Sequence, residues 1–134
     1  MTPASRGVPA VEAELVRARE TLRAARVLFD AGLFADAVGR AYYAMFHAAT
    51  ALLASVGRTA RTHDGIRSQL AEHFVRPGLL DPTVARSLAH GASDRQDADY
   101  DSQAVFSAEV ASARIVEAET VLSVAERLLA SNAP

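Results

Sequence analysis

Phe34-Ala35-Asp36-Ala37-Val38-Gly39-Arg40-Ala41-Tyr42-Tyr43-Ala44-Met45-Phe46-His47-Ala48-Ala49-Thr50-Ala51-Leu52-Leu53-Ala54-Ser55-Val56 is the stretch whose periodicity decides the fold. Phe34, Val38, Ala41, Met45, Ala48, Leu52 and Val56 recur at spacings of three and four, and Tyr42, Phe46, Ala49 and Leu53 widen the stripe. That is the repeat of an α-helix, and a helix apolar over most of its circumference lies at the centre of a bundle. Only Asp36, Arg40, Tyr43, His47 and Thr50 form a polar strip. At about 100° per residue, the five fall within an arc of about 80°.

The flanking segments repeat the pattern. Val11, Leu15, Ala18, Leu22, Ala25 and Phe29 predict a helix from about Pro9 or Ala10 to Ala31, with Gly32 as a left-handed stop. Gly57 ends the central helix. Thr62 or Asp64 can cap a third helix, whose thin core face is Ile66, Leu70 and Phe74 and which Arg76-Pro77-Gly78 stops. Asp81-Pro82 opens a fourth, with the acid at the N-cap and proline at the first helical position. Val84, Leu88 and Ala92 bury it, with Ala85 and Ala89 alongside. The last helix starts near Ser102 or at Ser107 and carries Ala111, Ile115, Ala118, Leu122, Ala125 and Leu129. No stretch alternates with a period of two. The expectation is an all-α, antiparallel up-and-down bundle of four to five helices, one domain over residues 1–134 with its core at about 10–131.

Composition excludes several classes. The 134 residues include no cysteine, so there is no disulfide framework, thiolate nucleophile or cysteine-based metal site. No apolar run approaches the roughly 20 residues that span a bilayer, and Met1–Pro9 lacks the apolar stretch of a signal peptide. A cytoplasmic protein without a membrane partner is expected. Residues 1–61 carry eight arginines against five acids, and residues 62–134 six against eleven, so the two parts hold +3 and −5. A binder of duplex DNA that works by neutralising phosphates is more basic, so duplex DNA is not expected as a partner. None of His47, His63, His73 and His90 follows a glutamate by three residues, and no His-Glu-x-x-His occurs. No metal is expected. The glycines form no phosphate-cradling loop and no Gly-x-Ser-x-Gly elbow, so no cofactor is expected either. All 14 basic residues are arginine, which a coding bias toward alanine and arginine accounts for.

Two polar constellations remain. On the central helix, an arginine, a phenol and an imidazole one turn apart can line a groove and bind phosphate or a base edge. The plain alternative is the solvent-facing side of a helix, for which Tyr42, Tyr43, Phe46 and His47 are costly choices. The second is Asp94-Arg95-Gln96-Asp97-Ala98-Asp99-Tyr100-Asp101, four aspartates around one arginine. If the fourth helix persists, Arg95 and Asp99 pair at i, i+4. The plain alternative there is a solvated acidic helix end, its ion pair worth a few tenths of a kcal/mol.

Gly32 to Ala49, with its tyrosine pair, resembles the second helix of HEPN domains (higher eukaryotes and prokaryotes nucleotide-binding). Thr62-His63, the Phe74–Gly78 turn and Arg95-Gln96-Asp97-Ala98-Asp99-Tyr100 resemble the downstream landmarks of a small prokaryotic branch with an Arg-x-x-Ala-Asp-Tyr element. The resemblance covers residues 10–130 and implies an all-α, usually dimeric bundle with both motif regions at a shared cleft. Many members are metal-independent ribonucleases, and many prokaryotic ones are toxins encoded beside a nucleotidyltransferase antitoxin. The resemblance therefore implies RNA or a nucleotide as ligand, a homodimer, and such an antitoxin as partner. In the ribonucleases an arginine steadies the phosphorane, and a histidine four to six residues later moves the 2′-hydroxyl proton. Here Arg95 takes the first part, while Tyr100 stands where the histidine is expected. His47 and His63 are the candidates to supply an imidazole. Arg95, Asp99 and Tyr100 are the expected catalytic side of the cleft, and Arg40, Tyr43, His47 and His63 the expected substrate-binding side. In some relatives a tyrosine in this region is adenylylated by the partner, a part open to Tyr100. The alternatives are a non-catalytic module binding a nucleotide or the transferase, or a structural dimeric bundle whose polar strip is a seam.

Overall fold

The computed structural model describes residues 3–131, with side chains from Pro9 onward; residues 1–2 and 132–134 of the expected 1–134 domain lie outside the described residues. Five helices follow one another: α1 (Pro3–Asp30), α2 (Phe34–Ser55), α3 (His63–Leu70), α4 (Pro82–Tyr100) and α5 (Ala108–Ser131). Among the described residues there is no strand. The chain is the all-α bundle its periodicity predicts. Its central member is α2, which touches each of the other four helices. The reason lies in its composition: Ala41, Ala44, Ala48 and Ala51 are wholly buried and let neighbouring backbones come close, while Val38, Met45, Leu52 and Leu53 fill the space between. Leu15, Ala18, Leu22 and Ala25 of α1 and Ala111, Ile115, Ala118, Leu122 and Ala125 of α5 complete the core.

Local signals set the helix ends. At Gly32 (φ +78°) the amide bonds to Phe29 O at 2.9 Å, and the Leu33 amide to Leu28 O at 2.9 Å. These are the two bonds of a Schellman cap, with glycine at the left-handed position. Thr62, not Asp64, caps α3: its hydroxyl oxygen accepts from the Gly65 amide at 2.9 Å. Asp81 caps α4, accepting from the Thr83 amide at 2.8 Å. That bond holds the Asp81 carboxyl below the usual aspartate range. Ser107, not Ser102, starts α5, accepting from the Val110 amide at 3.1 Å.

Three features depart from the sequence pattern. α1 begins at Pro3, so Pro9 lies inside the helix and forgoes one backbone bond near its start. Beyond Leu70 the chain takes one π-type turn over Ala71–Val75, where the Arg76 amide reaches back five residues to Ala71 O at 2.8 Å. Phe74 stays buried beneath it. On α4, Gly91 is buried and Ala92 only partly so. A Cβ at Gly91 would stand 2.7 Å from Met45 Cε and 3.1 Å from Tyr42 Cδ1. The missing side chain is what lets α4 lie directly on the tyrosine turn of α2.

Candidate functional site

Close approach at Gly91 has a consequence one helical turn later, where α4 carries Arg95 over the tyrosine pair. The guanidinium carbon sits 5.8 Å from the Tyr42 ring centroid and 5.6 Å from that of Tyr43. That is within the range at which a cation is attracted by an aromatic face. The expected i, i+4 pair forms: Arg95 Nη1 donates to Asp99 Oδ2 at 3.1 Å. The Arg95 side chain is only 16% exposed, and its Nε is buried with no hydrogen-bond partner among the described residues. Burial works against the Arg95 charge, but the Asp99 bond, Tyr43 and a smaller contribution from Tyr100 outweigh it and hold its pKa above the ordinary arginine value.

An imidazole joins this cluster from α3. The Thr62 cap fixes His63 as the first residue of that helix, and its ring centroid lies 4.9 Å from Phe46, 5.4 Å from Tyr42 and 6.2 Å from Tyr43. His63 Nδ1 is hydrogen-bonded to the Tyr42 hydroxyl. Tyr42 is 1% exposed, and burial pushes its phenol up to about 12, against the opposing pull of Arg95 and Arg67. Burial, then the positive charges of Arg95 and Arg67, lower the His63 pKa. At neutral pH the pair is therefore a protonated phenol beside a neutral imidazole. Arg67, one turn along α3, is paired with the exposed Asp64.

Of the expected site residues, the fold brings together Arg95, Asp99, Tyr43 and His63. Tyr100 stands 78% exposed at the end of α4, and Arg40 is exposed on the strip of α2. His47 turns elsewhere: its Nδ1 meets Glu14 Oε2 of α1 at 2.7 Å. The sequence marked Tyr42 and Phe46 as costly choices for a wet helix face without placing them among the site residues, and it gave no sign of Arg67. Tyr42 did carry a signal, since a phenol in an apolar stripe needs a hydrogen-bond partner once buried. The aspartate-rich run also divides. Asp94 accepts from Arg114 Nε at 2.6 Å, Asp99 serves Arg95, and Asp101 accepts from the Gln103 amide at 2.9 Å. Arg95 and Arg114 are thus arginines with a structural place as well as a compositional explanation.

Chemically, the cluster offers a fixed cation, a neutral imidazole and aromatic faces, which suits an anionic, aromatic ligand. Among the described residues no three His, Cys, Asp or Glu side chains gather as a metal-ligand set, and no helix is long and apolar enough to cross a membrane.

Comparison with known proteins gives a consistent result. A family model of the HEPN domain matches residues 11–130. The chain is 38% identical over 86 residues to a UPF0332 protein of Pyrococcus horikoshii, covering 64% of this chain and 61% of that protein. It is 37% identical over 90 residues to a Methanocaldococcus jannaschii protein named "Putative toxin", covering 67% of each. With a UPF0332 protein of Archaeoglobus fulgidus the identity is 30% over 122 residues, 91% of this chain and 97% of that one.

Proposed function

Because the chain belongs to the HEPN domain family, we propose that it is a toxin-type effector acting on RNA, with Arg95 and His63 meeting an RNA phosphate. The observation that carries this reading is Arg95 itself. It is largely buried, stacked over two tyrosines and bound through Nη1 to one carboxylate, yet its Nε lacks a partner. A guanidinium held by a single carboxylate through Nη1 keeps further N–H donors on its fork, and that fork matches the oxygens of a phosphate. The name of the Methanocaldococcus relative supports the toxin assignment.

The proposed chemistry is metal-independent. The 2′-oxygen attacks phosphorus, the bond to the 5′-oxygen breaks, and the products are a cyclic phosphate and a 5′-hydroxyl. Arg95 offsets the charge that builds on the phosphoryl oxygens, and His63 is the proton-transfer group in place of a histidine after Arg95. Half-buried Tyr43 offers a ring against which a base can stack. A second copy of the chain and a nucleotidyltransferase antitoxin are the proposed partners, with exposed Tyr100 as the acceptor for adenylylation. The test is direct. Purified protein is expected to cleave RNA in EDTA, and expression to slow growth unless a cognate transferase is co-expressed. Cleavage that persists undiminished in Arg95→Ala would overturn the site.

A second reading is favoured by one observation: Tyr100, not a histidine, follows Arg95 at the fifth position. In that reading the same cluster binds a nucleotide or the transferase without cleaving. RNA or nucleotide binding without products, together with harmless expression, would select it.

A further inference from the structure

The Tyr42 hydroxyl is buried, and among the described residues its one hydrogen-bond partner is His63 Nδ1. A buried hydroxyl hydrogen without an acceptor costs about 1–3 kcal/mol. Nδ1 is the acceptor at hand, so Tyr42 donates to it and the ring proton of neutral His63 sits on Nε2. Nε2 lies on the ring edge away from Tyr42 and makes no hydrogen bond among the described residues. Two cations from different helices surround this imidazole, Arg95 of α4 and Arg67 of α3, and both act on it and on Tyr42. Their carboxylates sit toward solvent: Asp64 is 86% exposed and Asp99 43%. Arg67 stands one turn along α3 from His63, and Arg95 lies over the two tyrosine rings that His63 also meets, so the three donors share one neighbourhood.

We propose that Tyr42 locks His63 in the Nε2–H tautomer, and that this N–H, Arg95 and Arg67 together form a receptor for one phosphate group. The phosphate is that of an RNA backbone, a nucleotide or the free ion. The location rests on the functional reading above, but the inference does not depend on cleavage. It adds Tyr42 and Arg67 to the site and gives His63 a resting role as donor. For Nε2 to accept a proton during cleavage, the ring must first pass to the Nδ1–H tautomer: Nε2 gives up its proton, Nδ1 gains one, and the Tyr42 hydroxyl turns from donor to acceptor.

Nitrogen NMR of the histidine rings in the full-length protein tests this. The wild type is expected to show His63 as the Nε2–H tautomer. Added inorganic phosphate should shift its resonances and raise its pKa, because a bound anion favours imidazolium. Tyr42→Phe should show mixed tautomers and bind phosphate several-fold more weakly. Arg67→Gln should weaken phosphate about tenfold, the worth of one charge-assisted hydrogen bond. Adenosine monophosphate and a short oligouridylate are the other two arms, and the one that perturbs His63 at lowest concentration identifies the source of the phosphate. A wild-type His63 in the Nδ1–H tautomer overturns the proposal, as does a His63 unmoved by all three ligands. Phosphate binding without any action on RNA would leave this receptor standing and remove the ribonuclease. Cleavage by a protein whose His63 ignores phosphate would do the reverse.

Discussion

Two arginines, each about four-fifths buried, teach different lessons about the same residue type. Arg114 on α5 is held by two carboxylates: its Nε donates to Asp94 at 2.6 Å and its Nη1 to Glu117, both partly buried. Both bonds raise its pKa, the Asp94 bond most. Arg95 on α4, at the position after Asp94, keeps a partnerless Nε and holds only Asp99. A guanidinium that bridges carboxylates of two helices ties them together, whereas one held by a single carboxylate keeps more of its fork for a ligand. The two histidines near α2 divide the same way. His47 is bound to a carboxylate of α1, while His63 faces two arginines and a phenol.

The largest expected effect separates the arginines by activity. Arg95→Ala should lower RNA cleavage in EDTA at least about a hundredfold, the scale of losing one group that stabilises developing charge. Arg114→Ala should leave the rate per folded molecule near that of the wild type. The next effect runs the other way. Arg114→Ala strands Asp94 and Glu117 between α4 and α5 and should cost about 2 kcal/mol in a urea titration. Arg95→Ala frees only the more exposed Asp99 and should cost less than about 1 kcal/mol.

Alkaline titration examines the aromatic side of the comparison. An unfolded tyrosine loses its proton near pH 10, whereas Tyr42 in the folded chain holds it to about pH 12. The stability from this group is therefore fully present below pH 10 and is lost as pH rises from 10 toward about 12, by up to roughly 2 kcal/mol. Tyr42→Phe should flatten that loss, and an equally steep loss in the variant would assign it to another group. His63 works in the opposite direction, because its folded pKa lies below the unfolded value. Its contribution is present above pH 6.5 and is lost as pH falls below it.

How much of this was legible in the sequence follows from the range of each signal. Helices α2 and α5, the Schellman glycine Gly32 and the Asp81-Pro82 start were all readable, because apolar period and capping chemistry act within a few residues. The Arg95–Asp99 pair was readable for the same reason. The partners of His47 and His63 were not: each is fixed by residues more than 20 positions away, Glu14 and Tyr42. Spacing along α2 put His47 on the same strip as Tyr43, but it could not say that α1 would supply a carboxylate there. Gly91 was equally silent, since its role depends on Met45 and Tyr42 lying opposite.

Gly91 yields a smaller effect that links the regions. Gly91→Ala should cost about 1 kcal/mol, because the flexible end of Met45 can give way while the Tyr42 ring is less free to move. RNA binding should weaken more than that, since α4 shifts and Arg95 leaves the tyrosine rings. Unchanged binding would show that Arg95 needs no such placement. The smallest effect belongs to the histidine bound to α1: Glu14→Gln should change stability by about 1 kcal/mol or less and leave RNA binding untouched.

The measurement that bears most directly on the central claim is RNA affinity, followed by fluorescence anisotropy, for Arg95→Ala and Arg114→Ala side by side, with thermal melting of the same samples. Arg95→Ala should lose about tenfold or more in affinity while melting close to the wild type, and Arg114→Ala should melt lower while binding RNA normally. Equal affinity in the wild type and Arg95→Ala, or an equal loss in both variants, would contradict the assignment of Arg95 as the arm that holds RNA.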